Sequence, residues 1–226
     1  MVRWRMDNRD QISQKFFNQT GITLEVGPSI DDGEFDVFNN LILLARLTGA
    51  PDGSYITVSR GTGEADSFNL QVKNGLFKYP SEYFIVNGGG ELNFVLSVDS
   101  IYVREEFQDQ GIGVRSVMMS IQQAKELGFR SVTLFAAGSA SNRSMFFGYH
   151  VWPTLGFDAP LPSKILGKLP QELQGCMLLS EIMSTDAGPD WWYDNGIPLE
   201  LSFELEDDSV SWELLDEYAE ARGISI

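Results

Sequence analysis

The chain has a single cysteine, Cys176, and a single histidine, His150. One thiol excludes an intramolecular disulfide and any cysteine-based zinc site, and a reducing cytoplasm is the simplest expected home. Long apolar runs are missing as well. The densest one near the N-terminus, Leu41–Leu47, includes Arg46 and falls far short of the ~20 residues a membrane-spanning helix needs. The first turns of chain hold Arg3, Arg5, Asp7, Arg9 and Asp10 without an apolar block, so no secretory signal is expected. Basic residues are scarce. The 16 Lys and Arg face 32 Asp and Glu, a net charge of −16, which argues against nucleic-acid binding as the main function because phosphate neutralisation needs a basic surface.

What is present is enough for a folded core. The 226 residues are 43% hydrophobic, and the 21% that are charged do not outweigh them, so disorder is excluded as the general state. Length alone allows one large domain or two small ones. The negative charge is uneven: residues 181–226 carry 13 acidic side chains against Arg222 alone, whereas residues 1–180 carry 19 acidic and 15 basic. Such a tail reads either as a solvated face that aids solubility or as an attractor for a cationic substrate.

Hydrophobic spacing predicts helices over 9–18 and 34–47, the second stopped by Thr48-Gly49-Ala50-Pro51. Stretches 55–59, 68–72 and 83–86, separated by glycine-rich turns, predict an antiparallel meander. In 92–103, Leu92, Phe94, Leu96 and Val98 alternate on one face, and the apolar set then jumps phase to Ile101 and Val103. A one-residue slip of that kind requires a β-bulge, with Asp99 at the slip. A glycine turn follows, Gln108-Asp109-Gln110-Gly111-Ile112-Gly113. It opens a helix with Val114, Val117, Met118, Ile121 and Ala124 on one face and Gln122, Gln123, Lys125 and Glu126 on the other. The strand 131–137 comes next, and a right-handed crossover should set it parallel to its predecessor. Beyond it the pattern predicts helices over 141–152 and 170–184, a turn at 191–196, a strand over 199–205 and a helix over 209–222. The class is α/β with a mixed sheet. Residues 1–226 are expected to form a single domain, with 165–226 an acidic extension packed on the core, because no Pro/Gly/Ser linker separates them.

Two glycines at the mouth of a helix let backbone amides approach an anion, and the helix N-terminus adds about half a positive charge. An acidic protein that binds a phosphorylated ligand needs such a local device. The Gln-x-x-Gly-x-Gly spacing lacks the further glycine of a dinucleotide turn and the Lys-Ser/Thr of a P-loop.

Val103-Arg-Glu-Glu-Phe107-Gln108-Asp-Gln-Gly111-Ile-Gly113, followed by an amphipathic helix and Gly128, closely resembles the acyl-CoA pyrophosphate loop of the GNAT N-acyltransferase superfamily. That pattern has a valine ending a bulged strand, an aromatic, then Arg/Gln-x-x-Gly-x-Gly/Ala. Gly156-Phe157 looks like the Gly-Phe closing the family's later motif, so the resemblance covers about residues 92–158. It implies a GNAT-like acyl-CoA-binding fold. Backbone amides from Gln110 through Gly111, Ile112 and Gly113 to Val114 would grip the pyrophosphate, with Gln108 opening the motif. The splayed strand at Ile101, Tyr102 and Val103 would pair with the pantetheine, and Asn142 would touch CoA as well as cap a helix. Acyl-CoA is then the co-substrate, no metal takes part, and the acyl group passes directly to an amine.

The resemblance also implies catalytic groups. Asp99 stands where the family often places a base or water relay, with bulge chemistry as its other reading. The family's acid is a Tyr four residues before the closing Gly, but that count reaches Trp152, whose indole N–H is too weak an acid. Tyr149 is the expected acid, and His150 is held in reserve as acid or base. Glu105 and Glu106 read as solvated charges, Cys176 as a core thiol, and Trp191-Trp192 as packing within the extension. The expected partner is an amine-bearing small molecule or peptide, with neither nucleic acid nor membrane, and a homodimer is the assembly to test. Two rival functions stay open: a catalytically silent CoA-binding regulatory module, and a peptide-modifying acyltransferase using longer acyl chains.

Overall fold

The computed structural model describes residues 9–28, 30, 40–61, 67–87, 94–143 and 146–226. The predicted stretches 34–39 and 92–93 lie outside these residues. Contacts divide the chain into two compact units, residues 1–132 with 223–226, and residues 133–222.

The first unit is a mixed sheet with helices, so the predicted α/β class holds. Strand β1 (Thr23–Val26) pairs parallel with β2 (Tyr55–Arg60). Strands β2, β3 (Ser67–Lys73) and β4 (Ser81–Asn87) form the predicted antiparallel meander, and β5 (Phe94–Ser100) extends it by pairing antiparallel with β4. Alternation drives it. Phe68, Leu70 and Val72 are buried on one face of β3, between half-buried polar neighbours, as a sheet with one packed side requires. Helix α1 (Gln11–Phe16) starts at Asp10, whose carboxylate accepts from the Ile12 and Ser13 amides. Helix α2 (Leu41–Leu47) buries Leu44, Ala45 and Leu47 and packs against α3 (Ile112–Glu126).

Helix α3 is more buried than its pattern predicts. Ser116, Ser120 and Gln123 are buried beside Val117, Met118 and Ile121, while of the other residues expected on the polar face Gln122 and Lys125 are half-buried and Glu126 is exposed.

The second unit takes in most of β6 (Ser131–Ala136), then α4 (Gly148–Thr154), α5 (Ser163–Leu166), α6 (Leu179–Met183), α7 (Gly188–Asn195), β7 (Leu199–Glu204) and α8 (Val210–Arg222). Its core joins Tyr149, Phe157, Trp192 and Phe203, each at 1% exposure or less. Phe157 stacks edge-on against Phe203, with ring centroids 5.5 Å apart. Asp158 ties the extension to residues 133–164: its carboxylate accepts from Ser180 N–H (2.8 Å) and Ser180 Oγ–H (2.7 Å), and its backbone exchanges two 2.9 Å bonds with Ser202.

Three predictions need correction here. Residues 170–184 are not one helix: a short 3-10 turn (Gln171–Leu173) and α6 are separated by Gly175, which sits at φ +107°. Residues 191–196 belong mostly to helix α7, which Pro189 opens in its first turn, a position where proline is favoured. Asn142 caps no helix. It lies in a turn, its side-chain oxygen accepting from Ser139 N–H at 2.7 Å, and α4 begins after Phe147.

Candidate functional site

The phase slip in the sequence is a real bulge. Tyr83 pairs with Val98 and Glu82 with Ser100, so one step on β4 matches two on β5 and Asp99 is the extra residue. Its side chain is exposed. Past the bulge the backbone stays extended against the β3–β4 turn: Lys78 N–H donates to Tyr102 C=O (2.7 Å) and Arg104 N–H to Leu76 C=O (3.0 Å), with Phe77 opposite Val103. Backbone groups alternate sides along a strand. The Tyr102 carbonyl is therefore spent inward, and those of Ile101 and Val103 are directed the other way. The Tyr102 ring is 45% exposed and stacks edge-on against Tyr79.

The glycine loop follows. Glu105–Phe107 form one 3-10 turn, with Glu105 and Glu106 exposed as predicted. The side chains of Gln108 and Gln110 fold back onto their own loop, donating to Val103 C=O and Glu106 C=O at 3.2 Å each. Gly111 is the N-cap of α3 in left-handed backbone, φ +68°, and has no side chain to cap with. The first intrahelical bond is Arg115 N–H to Gly111 C=O at 3.0 Å, so the amides of Ile112, Gly113 and Val114 precede the helical ladder. Three successive amides stand at the positive end of a 15-residue helix, an arrangement that suits an anion.

The two glycines differ in role. A Cβ on Gly113 would meet Val103 Cγ2 at 3.5 Å and Ile101 Cγ2 at 3.7 Å, ordinary contact with the splayed strand. A Cβ on Gly111 would come within 2.5 Å of Arg115 Nη1. Arg115 escaped the sequence reading. It is 5% exposed and pairs with Asp10, Nη2 to Oδ1 at 2.9 Å.

The remaining expected residues lie in the second unit. Asn142 is exposed. Tyr149 is fully buried, and its hydroxyl donates to Tyr193 C=O at 2.8 Å. Its own carbonyl accepts from Trp192 Nε1–H at 2.7 Å. Burial raises the phenol's pKa, with Arg143 opposing. His150 is half-buried between Phe147 and Tyr193, with ring centroids at 5.0 and 5.1 Å. Its Nδ1 is buried without a hydrogen-bond partner among the described residues. Burial lowers the imidazole pKa, and Asp190 offsets part of that. The Gly156 of the closing Gly-Phe lies at φ +86°, and a Cβ there would meet Ser211 C=O at 2.1 Å; it is the close approach of α8 that requires glycine.

With the geometry in hand, residues 82–149 match the model of the Acetyltransferase (GNAT) family. The match runs from β4 through the bulge, the glycine loop and α3 into α4, which is the segment where the motif was read. Among solved structures, the chain resembles that of a GNAT family acetyltransferase from Elizabethkingia anophelis with acetyl-CoA bound, at 14% identity and a TM-score of 0.31, over 66% of this chain and 97% of the other. Comparison with curated proteins finds no match.

Proposed function

We propose that the protein is an acyl-CoA-dependent N-acyltransferase that passes an acyl group directly to an amine. The observation that carries this is the bulge at Asp99 feeding the left-handed Gly111 cap of α3, within the segment that matches the acetyltransferase family. On this reading the Gly111–Val114 amides take the CoA diphosphate and the outward backbone of Ile101 and Val103 takes the pantetheine. Holding the thioester beside a neutral amine supplies most of the rate, through proximity and orientation.

Proton transfer is assigned to His150. The Tyr149 proton is committed to Tyr193 C=O, so its expected role as acid would require exchanging that bond for one to the thiolate. His150 holds its ring neutral at pH 7 and suits the removal of a proton from the incoming amine. Asp99 supplies the bend that opens the strand. The acidic 181–226 stretch, exposed at Glu200, Glu204, Glu206 and Asp207, favours a cationic acceptor by steering. The committed Tyr149 hydroxyl also supports a second reading, a CoA-binding module without catalysis.

Native mass spectrometry of protein purified without added ligand, followed by calorimetric titration with acetyl-CoA, tests the assignment. Thiol release from acetyl-CoA with a panel of amines then separates the enzyme from the silent module. Absence of any CoA binding would overturn both readings.

A further inference from the structure

The side chain of Arg115 turns back from α3 into the glycine loop. Its Nη1 donates to Gln110 C=O (2.8 Å) and Gly111 C=O (3.2 Å), and its Nε donates to Ser13 Oγ (3.1 Å) and Asp10 Oδ2 (3.2 Å). Asp10 holds the guanidinium from the other side, and its Oδ2 also accepts from Ser13 Oγ–H and Ser225 N–H, both at 2.9 Å. The network therefore joins α1, the loop and the C-terminal residues, all within the first unit.

A peptide group is planar and trans, so a carbonyl pinned in one direction sends the following N–H in the opposite one. Arg115 pins two successive carbonyls, and the amides of Gly111 and Ile112 consequently face away from it. The guanidinium's charge is matched by Asp10. What the pair delivers to the loop is direction, through a planar fork that a lysine ammonium cannot reproduce.

We propose that Arg115, fixed by Asp10, is a positioning residue for the CoA diphosphate, aiming the Gly111 and Ile112 amides that receive it. The inference rests on the acyl-CoA reading above and adds to it a part of the chain distant in sequence from the motif.

The test uses full-length Arg115→Lys and Asp10→Asn, titrated calorimetrically below their melting temperatures with CoA and with pantetheine, which lacks the diphosphate. The wild type is expected to bind CoA, with amide NMR shifts at Gly111 and Ile112. Each variant is expected to weaken CoA at least about tenfold while pantetheine affinity stays the same. Asp10→Asn carries the same expectation if Arg115→Lys does not fold, since it keeps an N-cap oxygen. Unchanged CoA affinity overturns the positioning role, and so does an equal loss for CoA and pantetheine, which marks a general structural role. A wild type that does not bind CoA overturns the functional reading instead.

Discussion

Replacing Gly111 and Gly113 separately by alanine distinguishes two glycines that the sequence pattern treats alike. Alanine at 111 must hold φ near +68°, which costs an L-residue about 1–2 kcal/mol. Its Cβ would also stand 2.5 Å from Arg115 Nη1, so the guanidinium has to yield. Asp10 resists that movement through Nε and Nη2, and the bond to Gln110 C=O is the one that breaks. A hydrogen bond to a charged group contributes about 1.5–3 kcal/mol, part of which the displaced group regains elsewhere. The expected loss of stability is about 2–4 kcal/mol, and CoA affinity should fall about tenfold or more. Alanine at 113 meets Val103 and Ile101 at ordinary contact distance and removes a glycine from a helix, a gain of up to about 1 kcal/mol. Its CoA affinity should stay within about threefold of wild type. Urea unfolding and calorimetric titration on both variants give the comparison. Equal effects of the two substitutions would refute the argument, because it assigns the strain and the Arg115 contact to position 111 alone.

The catalytic groups separate in a single-turnover assay of acyl transfer from acetyl-CoA. His150→Gln should slow transfer at least about tenfold. Tyr149→Phe should change the rate less than about threefold and cost about 1 kcal/mol of stability, for the one bond lost to Tyr193; the reverse order would return the role to Tyr149. Because burial lowers the His150 pKa, the base form is complete above that value. The rate should fall as pH drops through a midpoint below about 6.5, and a limb unchanged in His150→Gln would exclude the assignment. Truncation after residue 164 should give insoluble protein, because it strips α7 and α8 from Tyr149 and Gly156. A soluble, cooperatively unfolding fragment would contradict the view of 165–226 as an integral part of one domain.

The parts of the site that were legible in the sequence are those encoded by local spacing. The phase jump from Val98 to Ile101 announces the bulge because strand faces alternate every residue, and the structure places Asp99 there. The glycine loop announces a helix mouth in the same way, and the meander follows from turns and β-branched runs. Arg115 was not legible. Its partner Asp10 is 105 residues away and Ser225 still further, and an arginine one turn into a helix looks like a surface charge until burial shows otherwise. The misread helices had signals of their own. Gly175 breaks the apolar run of 170–184, and Gly188-Pro189 marks a helix start where the aromatic cluster drew attention to a turn. The burial of Gln123 on α3 was not legible because burial depends on neighbours on both sides of a helix, which periodicity alone does not report.

The first unit is assembled from two lengths of chain, residues 1–132 and 223–226. The Ser225 amide meets the Asp10 carboxylate across 215 positions of sequence, and the Asp10 amide returns a bond to Ser225 C=O at 3.1 Å. On the ribosome, Asp10 and Arg115 are therefore made well before the residue that completes their network. The glycine loop leaves the exit tunnel early, but the bonds that hold its partner Asp10 on every side form only after Ser225 has emerged. The whole second unit is translated in that interval. A change that removed the Ser225 amide from Asp10 would then act on the glycine loop from more than a hundred positions away along the chain.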